Sequence, residues 1–139
     1  MRFMVMVIAN AASESGQLPS QELLTEMGAY NQRLADAGVL IDGAGLAATA
    51  EGARVRFSGE GREVLTGPIQ GERAIAGYWL FETPSLESAI DWVRQCPNPT
   101  GDLGEIEIRR MMGAEDFAES DPTGELRQQE ADLRQRLSA

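Results

Sequence analysis

Glu105, Glu107 and Arg109 alternate with Ile106 and Ile108 in the stretch Gly104 to Met111. Successive side chains of a strand point to opposite faces, so the three charged residues share one side. Glu107 and Arg109 there can grip a polar ligand, the arginine as a rigid two-pronged donor. A solvated or salt-bridged strand face explains the same pattern. Glu72 and Arg73 follow Gly67-Pro68 and enter a stretch that holds Tyr78 and Trp79. A glycine-proline loop presenting a carboxylate and a guanidinium suits a ligand rim, and equally a surface turn. Tyr78 and Trp79, being adjacent in a strand, face opposite sides: one packs under the helices, the other meets a cleft or a partner. The ligand-binding candidates are therefore Glu72, Arg73, Tyr78, Glu107 and Arg109. Asp42, beside Gly43 and Gly45, is the remaining candidate for a catalytic general base. That task requires burial to raise its pKa, and a turn residue is the plainer reading. Cys96 precedes Pro97 at a helix C-terminus, where the dipole raises a thiol pKa, so it reads as packing. The acids Glu115, Asp116, Glu119 and Asp121 lack the fixed spacing of a calcium loop and read as a solvated connector.

Composition narrows the chemistry further. The chain has 139 residues, 12 basic against 22 acidic, a net charge of −10, and no histidine. Every basic residue is arginine. Histidine triads, imidazole-based zinc sites and lysine Schiff bases, pyridoxal phosphate attachment included, are thereby excluded. No cofactor and no metal is expected. The acidic balance argues against nucleic acid as a partner. No apolar run approaches the roughly 20 residues of a membrane helix, and the lone Cys96 requires no oxidising compartment. The short apolar run Phe3 to Ala9 reads as a first strand rather than a signal peptide, which makes the cytoplasm the expected location.

The elements that must position these residues follow from periodicity. Phe3, Val5 and Val7 alternate with Met4, Met6 and Ile8, a strand apolar on both faces. Ser20 caps a helix from Gln21 to Ala37 whose stripe is Leu23, Met27, Tyr30, Leu34 and Ala37, with Gly38 at the left-handed C-terminal cap. Val39 to Ala48 reads as a second strand. Ala53 to Thr66 reads as a hairpin turning at Ser58 to Gly61. Ile75 to Glu82 is a third main strand, and Ser85 caps a second helix ended by Pro97 and Pro99. The order β-α-β-(hairpin)-β-α-β predicts an α+β, ferredoxin-like domain over residues 1–112. Residues 113–139 form an acidic connector and a C-terminal helix, an extension rather than a second domain. Two helices cover only one face of a four-stranded sheet, yet strands one and three are apolar on both. The other face must be covered by a second copy, by the C-terminal helix or by a ligand, and a homodimer with facing sheets and a cleft between them is the favoured solution.

Met1-Arg2-Phe3-Met4-Val5, Ala37-Gly38-Val39-Leu40 with Gly45-Leu46, Gly67-Pro68, Ile75-Ala76-Gly77-Tyr78-Trp79, Cys96-Pro97-Asn98-Pro99 and Glu105-Ile106-Glu107-Ile108-Arg109 together resemble the YCII-related family, specifically its DGPF-motif branch. So do Ala114-Glu115-Asp116-Phe117 and Glu125-Leu126-Arg127 in the tail. The resemblance implies a ferredoxin-like protomer in a dimeric α+β barrel. It implies no general reaction, although a His/Asp pair has been proposed as catalytic in YCII-like members, and members of the branch are often encoded beside extracytoplasmic-function sigma factors. This sequence departs from the pattern where chemistry matters. Thr66 and Ile69 replace the motif's Asp and Phe, and Ala47 stands where relatives often carry His. Gly71, Arg73 and Ala74 occupy places that usually offer Glu, Lys and Glu, with Glu72 nearby. The proposed acid–base pair cannot operate here in its family form.

The sequence thus favours a homodimeric small-molecule-binding protein. The alternatives are a cofactor-free isomerase- or lyase-like enzyme using a carboxylate or Tyr, and a protein-interaction module associated with sigma-factor regulation.

Overall fold

The computed structural model describes residues 1–69, 73–101 and 104–139. Its strands are β1 (Arg2–Ile8), β2 (Leu40–Gly45), β3 (Ala53–Ser58), β4 (Gly61–Thr66), β5 (Ile75–Glu82) and β6 (Ile106–Arg110); its α-helices are α1 (Ala11–Glu14), α2 (Gln21–Asp36), α3 (Leu86–Val93) and α4 (Glu125–Leu137). Short 3-10 turns cover Thr49–Glu51 and Ala114–Ser120.

The ends of α2 follow from its residues. The Ser20 side chain accepts the Leu23 N–H at 3.0 Å, satisfying a donor that has no partner inside the helix. At the other end Gly38 takes φ +72°; the Val39 N–H reaches the Leu34 carbonyl at 2.9 Å and the Gly38 N–H the Ala35 carbonyl at 3.0 Å. This is a Schellman cap. Ser85 closes α3 in the same manner as Ser20, accepting from Ser88 at 3.1 Å.

The main sheet is antiparallel throughout, in the order β2-β5-β1-β6; β3 and β4 form a separate two-stranded sheet. Both helical crossovers therefore skip a strand, because β5 lies between β1 and β2, and β1 between β5 and β6. The chain is thus a mixed α+β fold. Phe3, Val5 and Val7 of β1, Trp79 and Phe81 of β5, Tyr30 and Leu34 of α2, and Ala89 of α3 form one buried cluster. This places the helices over a single sheet face. Tyr30 joins the layers: its hydroxyl donates to the Trp92 carbonyl at 2.8 Å, and its ring meets Trp79 edge-on at 6.0 Å.

Three local features differ from the sequence expectation. The second strand ends at Gly45 rather than Ala48, and its register with β5 shifts between Leu40 and Asp42. The loop before α2 contains α1, because Asn10 and Ser13 form a reciprocal capping box, a pairing that holds one turn of helix without any apolar stripe. The acidic connector is ordered. Asp116 takes Arg110 in two hydrogen bonds at 2.9 and 2.8 Å. Asp121, 5 % exposed, accepts the Leu126 and Arg127 N–H groups at 3.2 and 2.9 Å and the Arg127 Nε at 3.0 Å. It serves α4 in the capping role that Gly124 has no side chain to play.

Candidate functional site

The strand register brings four of the proposed site residues onto one face. Asp42, Leu80, Met4 and Arg109 stand in a row across β2, β5, β1 and β6, and Ala44, Tyr78, Met6 and Glu107 form the next row. Side-chain alternation sets all eight opposite Val5, Trp79 and Phe81, hence away from α2 and α3. Met6 is buried yet stands outside the helix-side cluster. Met4, Tyr78 and Leu80 are half-buried around it, while Asp42, Glu107 and Arg109 are exposed at the two edges. The face is therefore an apolar strip with charge on both rims. At about 4.8 Å between strands it spans about 14 Å from Asp42 to Arg109.

Each member has a distinct setting. Trp79 packs on the helix side, 8 % exposed, and donates from Nε1 to Asn31 at 2.8 Å. Its neighbour Tyr78 is the one left on the opposite face. The Asp42 carboxylate accepts the Gly43 N–H at 2.8 Å at the exposed strand irregularity. A Cβ on Gly43 would meet Trp79 Cδ1 and the Tyr78 carbonyl at 3.0 Å each, so β2 approaches β5 closely here. The side chains of Glu107 and Arg109 make no hydrogen bond or ion pair among the described residues. Arg73 pairs with Glu105 at the strand ends, both groups exposed. Glu72 and Gly71 lie outside the described residues.

A second concavity adjoins this end of the sheet. Leu46, Ala47, Thr49, Ile69, Arg73 and Ile75 are among the residues lining an open groove of ≈ 440 Å³. Three segments far apart in sequence, Leu46 to Arg54, Ile69 and Arg73 to Ile75, meet around it. Their meeting is fixed by a carboxylate that the residue pattern did not reveal. Glu14 accepts the Thr49 N–H at 3.1 Å and the Thr49 hydroxyl, which in turn accepts the Ile69 N–H at 2.9 Å. The available signal was the Asn10/Ser13 capping box, which turns the chain so that Glu14 reaches inward. Gly67 completes the clasp by lying against Thr49, where a Cβ would fall 1.6 Å from the Thr49 carbonyl oxygen.

Two buried groups are held in their neutral forms. Burial raises the Tyr30 phenol above its ordinary value; nearby Cys96 adds to the shift and Arg33, over the ring at 5.6 Å, opposes it. Burial pushes the Cys96 thiol up to about 11, which removes its thiolate at neutral pH.

Residues 1–114 match the family model of the YCII-related domain. The chain belongs to the YCII-related family. An uncharacterised protein of Rhizobium meliloti (strain 1021) is 27 % identical over 90 residues, 64 % of this chain and 73 % of that protein. The YCII-related match takes in both sheets and the groove, and it ends at Ala114, where the connector to α4 begins. No helix among the described residues is long and apolar enough to cross a membrane.

Proposed function

We propose that this YCII-related protein is a cytoplasmic homodimer that binds a small molecule in a cleft between two facing sheets. Each protomer is then a ferredoxin-like half of a dimeric α+β barrel, of the DGPF-motif branch. The observation that carries this reading is the strip of Met4, Met6, Tyr78 and Leu80 on the sheet face away from α2 and α3. A contiguous apolar patch of that kind marks an interaction or ligand surface, and a second copy covers it with the same residues. Tyr78 offers an aromatic floor, and Arg109 a fixed donor for a carboxylate or carbonyl of the ligand. Glu107 accepts from the ligand's own donors, while Arg73 stands at the rim; Glu72, the remaining candidate, lies outside the described residues.

A cofactor-free isomerase- or lyase-like reaction is the second reading. It is favoured by the phenol of Tyr78, half-buried in the apolar strip, where the facing sheet of the proposed dimer would keep out competing water during a proton transfer. A protein-interaction module serving a sigma factor is the remaining class, and it requires no cleft at all.

A thermal-shift screen of metabolites, followed by titration calorimetry on Arg109→Ala and Glu72→Gln, tests the binding role. Loss of a charge-assisted hydrogen bond of about 2 kcal/mol weakens affinity roughly thirtyfold. A confirmed ligand whose affinity neither substitution alters rules the site out. Product formation from that ligand, abolished in Tyr78→Phe, selects the enzyme reading.

A further inference from the structure

The register of β2 turns one carboxylate away from the helices. Leu40 stands opposite Phe81, and unbroken antiparallel pairing from there would set Asp42 opposite Trp79, on the side of α2 and α3. The shift between Leu40 and Asp42 sets it opposite Leu80 instead. One residue added to one strand of a pair turns the next side chain to the other face, and such irregularities recur where a side chain is re-aimed beside a site. The carboxylate so turned is exposed, and its only hydrogen bond among the described residues is the one it accepts from the Gly43 N–H. Its row across the sheet ends on the opposite edge at Arg109, which is exposed as well and has no side-chain partner among the described residues.

Two facing sheets in a homodimer are related by a twofold axis that lies between them. With that axis along the strands, each row lies over the same row of the partner in reverse order. Asp42 then faces the partner's Arg109, Leu80 the partner's Met4, Tyr78 the partner's Met6, and Glu107 the short side chain of the partner's Ala44. With the axis across the strands, β2 lies over the partner's β2. That strand, Leu40–Gly45, holds no basic residue, so Asp42 meets no cation. Only the axis along the strands gives the turned carboxylate its counter-charge. Facing sheets lie about 10 Å apart, a gap that the two side chains span between them.

We infer that in the homodimer Asp42 of each copy pairs with Arg109 of the partner subunit across the rim of the cleft and is the positioning residue for that guanidinium. The inference rests on the sheet-to-sheet dimer and on the ligand-binding role of Arg109 proposed above, and it deepens both. The carboxylate takes one edge of the planar fork and leaves the remaining donors for a carboxylate or carbonyl of the ligand. Each mouth of the cleft is then incomplete in a single copy, since one chain supplies Glu107 and Arg109 and the other supplies Asp42. A guanidinium beside Asp42 also holds its carboxylate ionised and weakly basic, which suits orientation better than general-base catalysis.

Charge reversal in trans tests the pairing on the full chain. Asp42→Arg sets two arginines face to face at both rims, and Arg109→Asp sets two carboxylates. Each variant alone is expected to raise the dimer dissociation constant at least about tenfold in sedimentation equilibrium. Mixing the two restores opposite charges at both rims, so native mass spectrometry should find the heterodimer well above its random share. Parent-strength dimers of either variant, or random mixing, overturn the pairing and leave the sheet-to-sheet dimer standing. A parent chain that is monomeric at tens of micromolar overturns the dimer and the pairing together. Where circular dichroism shows that a reversal unfolds the chain, Asp42→Asn, Arg109→Gln and their combination replace it: losses of dimer affinity that fail to add support the pair, and additive losses overturn it. Positioning has its own readout. The Arg109 Nε–H signal, identified by its absence from Arg109→Gln, is expected to be protected from exchange in the parent dimer and to lose that protection in dimeric Asp42→Asn. Equal protection in both overturns the positioning role.

Discussion

Met6 and Tyr78 stand directly opposite each other on β1 and β5, on the sheet side that neither α2 nor α3 covers. Met6 is 8 % exposed without belonging to the helix-side core. The next residue along β5, Trp79, belongs wholly to that core. One strand thus carries two adjacent aromatics with separable consequences.

That separation yields a paired measurement. Tyr78→Arg plants a charge in the middle of the apolar strip, and burying it between the facing sheets of the proposed dimer is prohibitive. Sedimentation is expected to show the dimer giving way to monomer. Trp79→Phe deletes the bond to Asn31 and part of the buried ring on the other face, so it lowers stability by about 1–3 kcal/mol and leaves the oligomeric state unaltered. A Tyr78→Arg chain that sediments like the parent sinks the sheet-to-sheet dimer.

Tyr30→Phe removes only the hydroxyl that donates to the Trp92 carbonyl. That carbonyl still accepts the Gln95 N–H at 3.1 Å, so no buried acceptor is left bare. The expected loss is about 1 kcal/mol in urea unfolding, the net worth of one hydrogen bond. Tyr30→Ala also empties a fully buried ring site and costs about 3–5 kcal/mol. Equal midpoints for Tyr30→Phe and the parent would remove the hydroxyl as a tie between α2 and α3.

Most of the scaffold is legible in the residues because its signals are local. Ser20, Gly38 and the stripe through Tyr30 and Leu34 mark α2 with no reference to the rest of the chain, and alternation alone brackets β5. Alternation also puts Glu107 and Arg109 on one face. It does not say that Asp42 shares that face, which depends on the β2–β5 register and its shift at Leu40. Glu14 is invisible for a related reason. Its role depends on a contact with Thr49, 35 positions away, and a lone glutamate in a polar loop carries no periodicity. The connector reads as solvated because its acids have no local spacing; their order comes from Arg110 and Arg127, whose pairing only the fold reveals.

Gly67→Ala probes the clasp beside the groove. The new methyl would fall on the Thr49 carbonyl, a backbone group, so the two segments must part rather than a side chain swing aside. Overpacking of this sort costs about 1–3 kcal/mol. The Ile69 amide, which donates to Thr49, is expected to lose hydrogen-exchange protection while the Val5 amide in the central strand keeps its own. Unchanged protection at Ile69 would mean that the glycine is not what joins these segments.

The root of α4 is expected to loosen in acid before the core does. The Arg110 guanidinium, with help from the Gly113 N–H, holds the Asp116 carboxyl down from 3.8 to about 2. Asp121 is lowered as well, chiefly by the Arg127 N–H, with burial opposing. A carboxyl whose folded pKa lies below its unfolded value contributes stability above the unfolded value, and that contribution is lost as pH falls through the folded one. The anchoring is therefore complete above about pH 4 and fades toward pH 2. Amide signals of Leu126 and Arg127, followed by NMR against the fluorescence of Trp79 and Trp92, should show this C-terminal arm released ahead of the core. Asp121→Asn, which keeps an acceptor oxygen but no charge, should reduce the arm's pH response to the part that Asp116 carries and leave the core transition in place. An arm that stays protected to pH 2 in the parent chain would show that something other than these two carboxylates holds it.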